Sequence, residues 1–414
     1  MKQVLQMDVG KATLLGLGVG AILIVGALVR YELVARQASR ESAPTIPQKW
    51  QFATAGAING ALALGEDGTL YAASEDGFVY ALDPSGKLQW QFESGPVKGA
   101  PAIGADGAIY VTNQDQRVIA INRTGTQRWA VGGGPYADKQ TSWLGAALDE
   151  NHLYTPWRGQ FRAYRLSDGS TDWSAGVGFE RAGSAAIFPN GVIVYSGVGR
   201  VDAVWSGGRT IWQYPVMNPP LTVDMITRTG GRIPPGNFWP ESGFAVGYTG
   251  TFYVCAAESR LVALATDGSY KWEFKTKTHV VNHATPLIAA DGTVYFASGD
   301  GNLYALNPDG TQKWVLNTVG SISETPALAA DGALYVLNSG WLMAVSSEGK
   351  VLEKVAINEG PGSSSPTLAP DGTIYVGLRG GKIIAFAGTH GALMDSAWPK
   401  FQRDLANSGR ARPI

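Results

Sequence analysis

The sequence predicts an all-β fold, an eight-bladed β-propeller of four-stranded antiparallel blades preceded by one membrane-spanning helix. Three observations carry the expectation. A turn-and-strand unit recurs eight times after Trp50. Each recurrence is followed by a strand centred on alanine and then, in six of the eight, by a tryptophan. Glycine is abundant, 54 of 414 residues, while only 16% of the chain is charged, a composition suited to many short strands joined by tight turns.

The unit reads Asp67-Gly68-Thr69-Leu70-Tyr71, then Asp106 to Tyr110, Asn151 to Tyr154, Asn190 to Val194, Thr249 to Tyr253, Asp291 to Tyr295, Asp331 to Tyr335 and Asp371 to Tyr375. From Tyr71 to Tyr375 it returns about every 43 residues, the spacing of a propeller blade. Asp-Gly supplies the positive backbone angles of a tight hairpin. The alanines Ala81, Ala120, Ala163, Ala203, Ala263, Ala305, Ala344 and Ala385 leave room where sheets stack face to face. Trp90, Trp129, Trp173, Trp212, Trp272 and Trp314 fill the gaps between blades, whereas the seventh and eighth units carry Glu353 and Met394 there. Trp50-Gln51-Phe52 copies Trp90-Gln91-Phe92 ahead of any complete unit. It is therefore expected to complete the eighth blade, so that the two ends of the ring clasp each other. Glu353 marks a weaker blade junction.

Ahead of the repeats, Ala12 to Val29 is an uncharged run of 18 residues, about 27 Å long as a helix and close to a bilayer's apolar thickness. It reads as an uncleaved anchor: the run is longer than the apolar core of a signal peptide, and no Ala-x-Ala follows it. The organisation is then a cytoplasmic 1–11, an anchor 12–29, a linker 30–47 and a propeller 48–414. Lys2 and Lys11 on one side and Arg30, Arg36 and Arg40 on the other leave orientation unsettled by charge. The fold favours an exported domain, on the periplasmic or extracellular side of the cytoplasmic membrane.

Composition also excludes. A net charge of −1, with 33 basic and 34 acidic residues and no charged blocks, lacks the footprint of a nucleic-acid binder. A single cysteine, Cys255, cannot form an intrachain disulfide, a cysteine-based zinc site or a c-type haem motif. His279 and His283 are four apart, but ahead of a strand rather than on a helix, and read as non-metal. No nucleophile motif or phosphate-binding loop is present.

The repeats resemble the pyrroloquinoline-quinone-type (quinoprotein) family. Ser364-Ser365-Pro366-Thr367-Leu368 leading to Asp371-Gly372-Thr373-Ile374-Tyr375-Val376-Gly377 is close to its unit, as is Leu303-Tyr304-Ala305-Leu306-Asn307 running to Gly310 and Trp314. The ending from Trp398-Pro399-Lys400-Phe401 to Asp404 and Gly409 resembles a segment recurrent in such proteins. The resemblance covers about 50 to 410. It implies one of two functions, a quinone-dependent alcohol or sugar dehydrogenase, or a non-catalytic scaffold of the outer-membrane assembly (BamB) kind that grips other proteins. The enzymes of the family often hold their quinone against two adjacent cysteines and a calcium or lanthanide site of Glu, Asn and Asp oxygens. Cys255 stands alone and no matching acidic pair is found. The expectation is a scaffold with no catalytic residues, cofactor or metal, and with protein partners in the cell envelope.

Two groups of residues are candidates for binding. Just ahead of the innermost strands stand Asn59, Lys98, Ser142, Ala182, Glu241, His283, Ser323 and Ser363, with Arg181 and Glu324 adjacent. In register these form a polar ring at one mouth of the central channel. The interval from Val194 to Tyr253 is about 16 residues longer than average, and its loop, 214–243, carries Arg228, Arg232, Phe238, Trp239 and Glu241. Long loops bearing Trp and Arg have the composition of interfaces. A smaller insert, 132–143, bears Tyr136 and Trp143. Both are expected on the face that carries the polar ring.

Overall fold

The computed structural model describes residues 45–133, 146–157, 160–176, 184–197, 200–215, 243–256, 260–276, 284–357 and 364–411. The segments 1–44 and 216–242, and with them the expected anchor and most of the long insert, lie outside the described residues. Among the described residues no helix is long and apolar enough to cross a membrane.

The described residues form 32 strands in eight separate four-stranded antiparallel sheets. In the first blade the chain runs outward from a short innermost strand, Ala63–Leu64, through Leu70–Ala73 and Phe78–Leu82 to an outermost strand, Leu88–Glu93. The other blades repeat that order, except the eighth. There Thr367–Leu368, Thr373–Leu378 and Lys382–Ala387 come from the C-terminal end, and the outermost strand, Gln48–Ala53, comes from the N-terminal end. Trp50 pairs with Ala385, so the ring closes as the orphaned first copy of the repeat requires. The chain joins this clasp at Ile46, which is buried, and at Pro47, whose carbonyl accepts from the Ala387 amide at 2.8 Å.

The register explains the repeated residues. Tyr71 lies opposite Ala81, and Ala81 opposite Trp90. The same Tyr-Ala-Trp row crosses the blades of Tyr110, Tyr154, Tyr253 and Tyr295, and the row of Tyr375 ends on Trp50. Because the middle residue is only a methyl, the outer two rings meet across it, with centroids 5.8 Å apart for Tyr71 and Trp90 and 5.6 Å for Tyr375 and Trp50. Just past the alanine the register slips in all eight blades, a bulge that adds twist to the outermost strand.

Each indole also clasps the next blade. Trp50, Trp90, Trp129, Trp173, Trp212, Trp272 and Trp314 lie over Gly86, Gly125, Gly169, Gly208, Gly268, Gly310 and Gly349, where an added Cβ would come within 2.6 to 2.9 Å of the ring. The indole N–H groups donate to carbonyls of the same turns, those of Pro84, Arg123, Leu166, Ser206, Thr266, Pro308 and Ser347. Glycine is demanded twice over at these turns, by positive φ and by the ring above.

The exception at Glu353 now has a cause. The eighth blade's outermost strand arrives from the N-terminus, so no Gly turn joins its last two strands and an indole would have nothing to cover. The departing chain takes that place. Thr389 Oγ1 donates to Glu353 Oε1 at 2.7 Å, and the Tyr335 hydroxyl accepts from the amides of Thr389 and His390 at 3.1 and 3.4 Å.

The C-terminal segment then closes one end of the channel. Backbone amides at the ends of the innermost strands, those of Leu328, Ile288, Leu64, Ile103, Leu148 and Ile187, donate to Pro399, Trp398, Leu405, Ala406, Ser408 and Gly409 at 2.8 to 2.9 Å. Trp398, Lys400 and Asn407 are fully buried. The Asn407 side-chain amide reaches up the channel to the carbonyls of Ala61, 3.2 Å, and Pro101, 2.9 Å, and Phe401 packs on Ala61 and Ala100.

Candidate functional site

The other end of the channel is the mouth. Chain leaving an outermost strand crosses to the next innermost strand there, so residues just ahead of those strands line the rim. Asn59 and Lys98 converge on a residue of a neighbouring turn, Glu75: Asn59 Nδ2 donates to Glu75 Oε1 at 2.6 Å, and Lys98 Nζ lies 4.0 Å from the same oxygen. Glu75 is itself placed by its amide, which donates to the Ala57 carbonyl at 3.0 Å. The Lys98 side chain is 21% exposed and that of Glu75 35%, so this pair remains in contact with water and accounts for little stability. Across the ring, Ser323 Oγ donates to Glu324 Oε1 at 3.2 Å. Ser142, Arg181, His283 and Ser363 of the expected ring lie outside the described residues, as do His279, Arg228, Arg232, Phe238, Trp239 and Glu241. The long insert departs at the end of the outermost strand Thr210–Pro215 and returns at the innermost strand Phe244–Val246, so both its ends belong to the mouth side.

Glu75 escaped the sequence reading. It stands in the turn between the two middle strands of its blade, where the second and sixth units have Gln114 and Gly299, so nothing in the repeat pattern marks it. Also unforeseen is a line of hydroxyls just inside the rim. The Gly243 amide donates to Thr285 Oγ1 at 3.1 Å, the Thr285 amide to Thr325 Oγ1 at 2.8 Å, and the Thr325 amide to Ser365 Oγ at 3.2 Å. Each hydroxyl belongs to a Thr-Pro or Ser-Pro pair, and each stitches one innermost strand to the next. They are buried and engaged in holding the ring.

These positions set the depth of the site. Asn59 and Lys98 stand two residues from Ala61 and Ala100, on which Phe401 of the C-terminal segment packs. In this sector the C-terminal segment therefore reaches to within two residues of the rim, and the dish is shallow. A pocket that buries most of a small ligand needs more enclosure than this. On the opposite face a depression of about 680 Å³ lies between the C-terminal segment and the first three blades. Its charges are largely engaged with one another: Arg123 pairs with Asp67, Arg410 with Glu150 and Arg403 with Asp404.

The floor holds one unusual group. Lys400 Nζ, fully buried, donates to the Asp404 carbonyl at 3.1 Å and to Asn407 Oδ1 at 2.5 Å. Burial pushes its pKa down to about 7, opposed by the Asp404 carboxylate.

Sequence comparison decides the relationship. The family model described as outer membrane protein assembly factor BamB matches residues 42–194 and 195–365. The chain belongs to this family. Among solved structures it is similar to BamB from Moraxella catarrhalis, with a TM-score of 0.64 and 17% identity, over 83% of this chain and 100% of that one. It is also similar to the computationally designed Ika8 protein, with a TM-score of 0.63 and 13% identity, over 84% of this chain and 100% of that one. At such identities the likeness is one of fold. None of the curated proteins matches the chain.

Proposed function

We propose that the protein is a non-catalytic interaction scaffold of the cell envelope, anchored in the cytoplasmic membrane by residues 12–29, that holds protein partners on the mouth face of its propeller. The observation that carries this reading is the shallow dish: a polar rim of Asn59, Glu75 and Lys98 over a channel filled from below by the chain's own C-terminal segment. Such a surface suits a macromolecule lying across it better than a small molecule sinking into it. Membership of the BamB family supports the same reading. The strands that flank the long insert, Thr210–Pro215 and Phe244–Val246, meet it on this side, and its Arg232 and Trp239 are proposed as anchors for the same partner.

Affinity capture from native membranes, with the full-length chain as bait, tests it. Glu75→Ala with Lys98→Ala, and separately Arg232→Ala with Trp239→Ala, should lower recovery of a reproducible partner while the melting temperature is kept. Interface anchors of this kind are worth on the order of 2 kcal/mol. Dye-linked oxidation of an alcohol or sugar on addition of pyrroloquinoline quinone and calcium, or stoichiometric uptake of the quinone, would replace the scaffold by a dehydrogenase.

A further inference from the structure

Among the described residues of the mouth face two that are not glycine take a left-handed backbone, Gln116 and Val319, and only Val319 is β-branched. The chain leaving the sixth blade runs Thr318-Val319-Gly320, and Val319, a residue 88% exposed, takes a left-handed backbone, φ +53°. The corresponding passage between the first and second blades shows what the connection requires. There the Ser94 amide donates to the Gly77 carbonyl and the Ser94 carbonyl accepts from Asn113 Nδ2, and the left-handed residue is Gly95, φ +73°. In the sixth blade the Thr318 amide donates to Gly301 and the Thr318 carbonyl accepts from Asn338 Nδ2 at 2.8 Å, the same bonds on equivalent residues. Glycine meets the demand without strain, whereas a β-branched residue strains against its own carbonyl. Val319 therefore serves neither the turn nor the core. Strain retained where packing offers no return points to a contact made outside the molecule.

The surroundings hold Val319 on a rigid base tied to the turn that carries a second exposed apolar residue, Trp341. Asn338 is buried, and its one amide group ties two turns together, since its Nδ2 holds the Thr318 carbonyl and its Oδ1 accepts from the Trp341 amide at 3.0 Å. Ser339 Oγ donates to the Ser321 carbonyl at 3.3 Å, a second tie between the same turns. Trp341 is 40% exposed, and Lys354 Nζ stands 5.1 Å from its ring centroid. An aliphatic knob, an exposed indole and a cation on pre-organised turns are the composition of an interaction hot spot.

We infer that Val319 and Trp341 form the apolar centre of a docking site for a segment of a partner protein that presents a Leu, Ile or Phe side chain next to an Asp or Glu. The apolar side chain covers Val319 and the indole, and the carboxylate meets Lys354. The inference rests on the scaffold reading and names the chemistry of its partner.

Random dodecapeptides displayed on phage and selected on the full-length chain in detergent micelles provide the test, with the affinities of the selected peptides measured by fluorescence anisotropy. Selected sequences should pair an apolar residue with an adjacent carboxylate. Val319→Gly should leave the melting temperature unchanged or raised while weakening those peptides at least tenfold, and Trp341→Ala should weaken them similarly. Lys354→Glu should turn selection toward basic sequences. A lower melting temperature in Val319→Gly, with affinity unchanged, would make Val319 a structural residue and overturn the inference. Peptides that bind but ignore Val319 and Trp341 would overturn this site and leave the scaffold standing. Failure to select any peptide, together with quinone-dependent turnover, would overturn both.

Discussion

Trp50→Ala removes the clasp that joins the two ends of the ring, and its cost follows from contacts already described. The indole is half-buried, covers Gly86, lies 5.6 Å from the Tyr375 ring and donates to the Pro84 carbonyl at 2.9 Å. Full burial would put Trp→Ala at about 3–5 kcal/mol. Half of that, with about 0.5–1 kcal/mol for a partly solvated hydrogen bond, gives a loss of about 2–3.5 kcal/mol. Trp129 makes the same contacts at 8% exposure, so Trp129→Ala should reach the full range of about 3–5 kcal/mol. Position along the chain adds a second distinction. The strand Gln48–Ala53 is paired on one side to Lys382–Ala387 and is tied into its blade by no turn, so Trp50→Ala should speed amide exchange in 382–386, whereas Trp129→Ala should leave those amides protected. Urea unfolding followed by circular dichroism gives the energies, and hydrogen exchange read by mass spectrometry gives the location. A smaller loss for Trp129→Ala than for Trp50→Ala, or unchanged exchange in 382–386 in the Trp50 variant, would refute the reasoning.

Gly86→Ala and Gly191→Ala share a φ near +81° to +86°, but a Cβ on Gly86 would lie 2.6 Å from the Trp50 ring while one on Gly191 meets nothing within 4 Å; the first should lower the melting temperature clearly more than the second. Lys400 has its pKa lowered to about 7 in the folded protein against about 10.4 in an unfolded chain. The unfolded state then binds more protons between those values, so stability should rise with pH across that window, by up to about 1.4 kcal/mol per unit. It should change little on this account below pH 7, and Lys400→Met should remove the slope in denaturant titrations from pH 7 to 10. Tyr335→Phe deprives the amides of Thr389 and His390 of their acceptor; a loss of about 1 kcal/mol is expected, with faster exchange of those two amides.

The residues that were legible in the sequence are those whose roles repeat. Asp-Gly turns, the row of Tyr, Ala and Trp, and the blade count all depend on local turn chemistry and on neighbours at a fixed spacing, so each copy of the unit attests the others. Even the ring closure at Trp50 could be read, because a copy out of place is conspicuous against seven in place. Asn59 and Lys98 could be singled out for the same reason, from their place ahead of the innermost strands. Where a residue's role depends on one particular distant segment, the sequence has no second copy to compare. The path of Trp398 to Arg410 across the ends of six innermost strands is of this kind, and so is the shallow dish that results. Glu353 looked like a defect until the fold showed that the eighth blade has no turn for an indole to cover. Glu75 joins Asn59 to Lys98 only because two turns meet in space. The left-handed backbone at Val319 was equally hidden: in sequence it is one more valine near a strand end, and the hydrogen bonds that force its conformation come from Gly301 and Asn338, on turns that folding brings to either side of it.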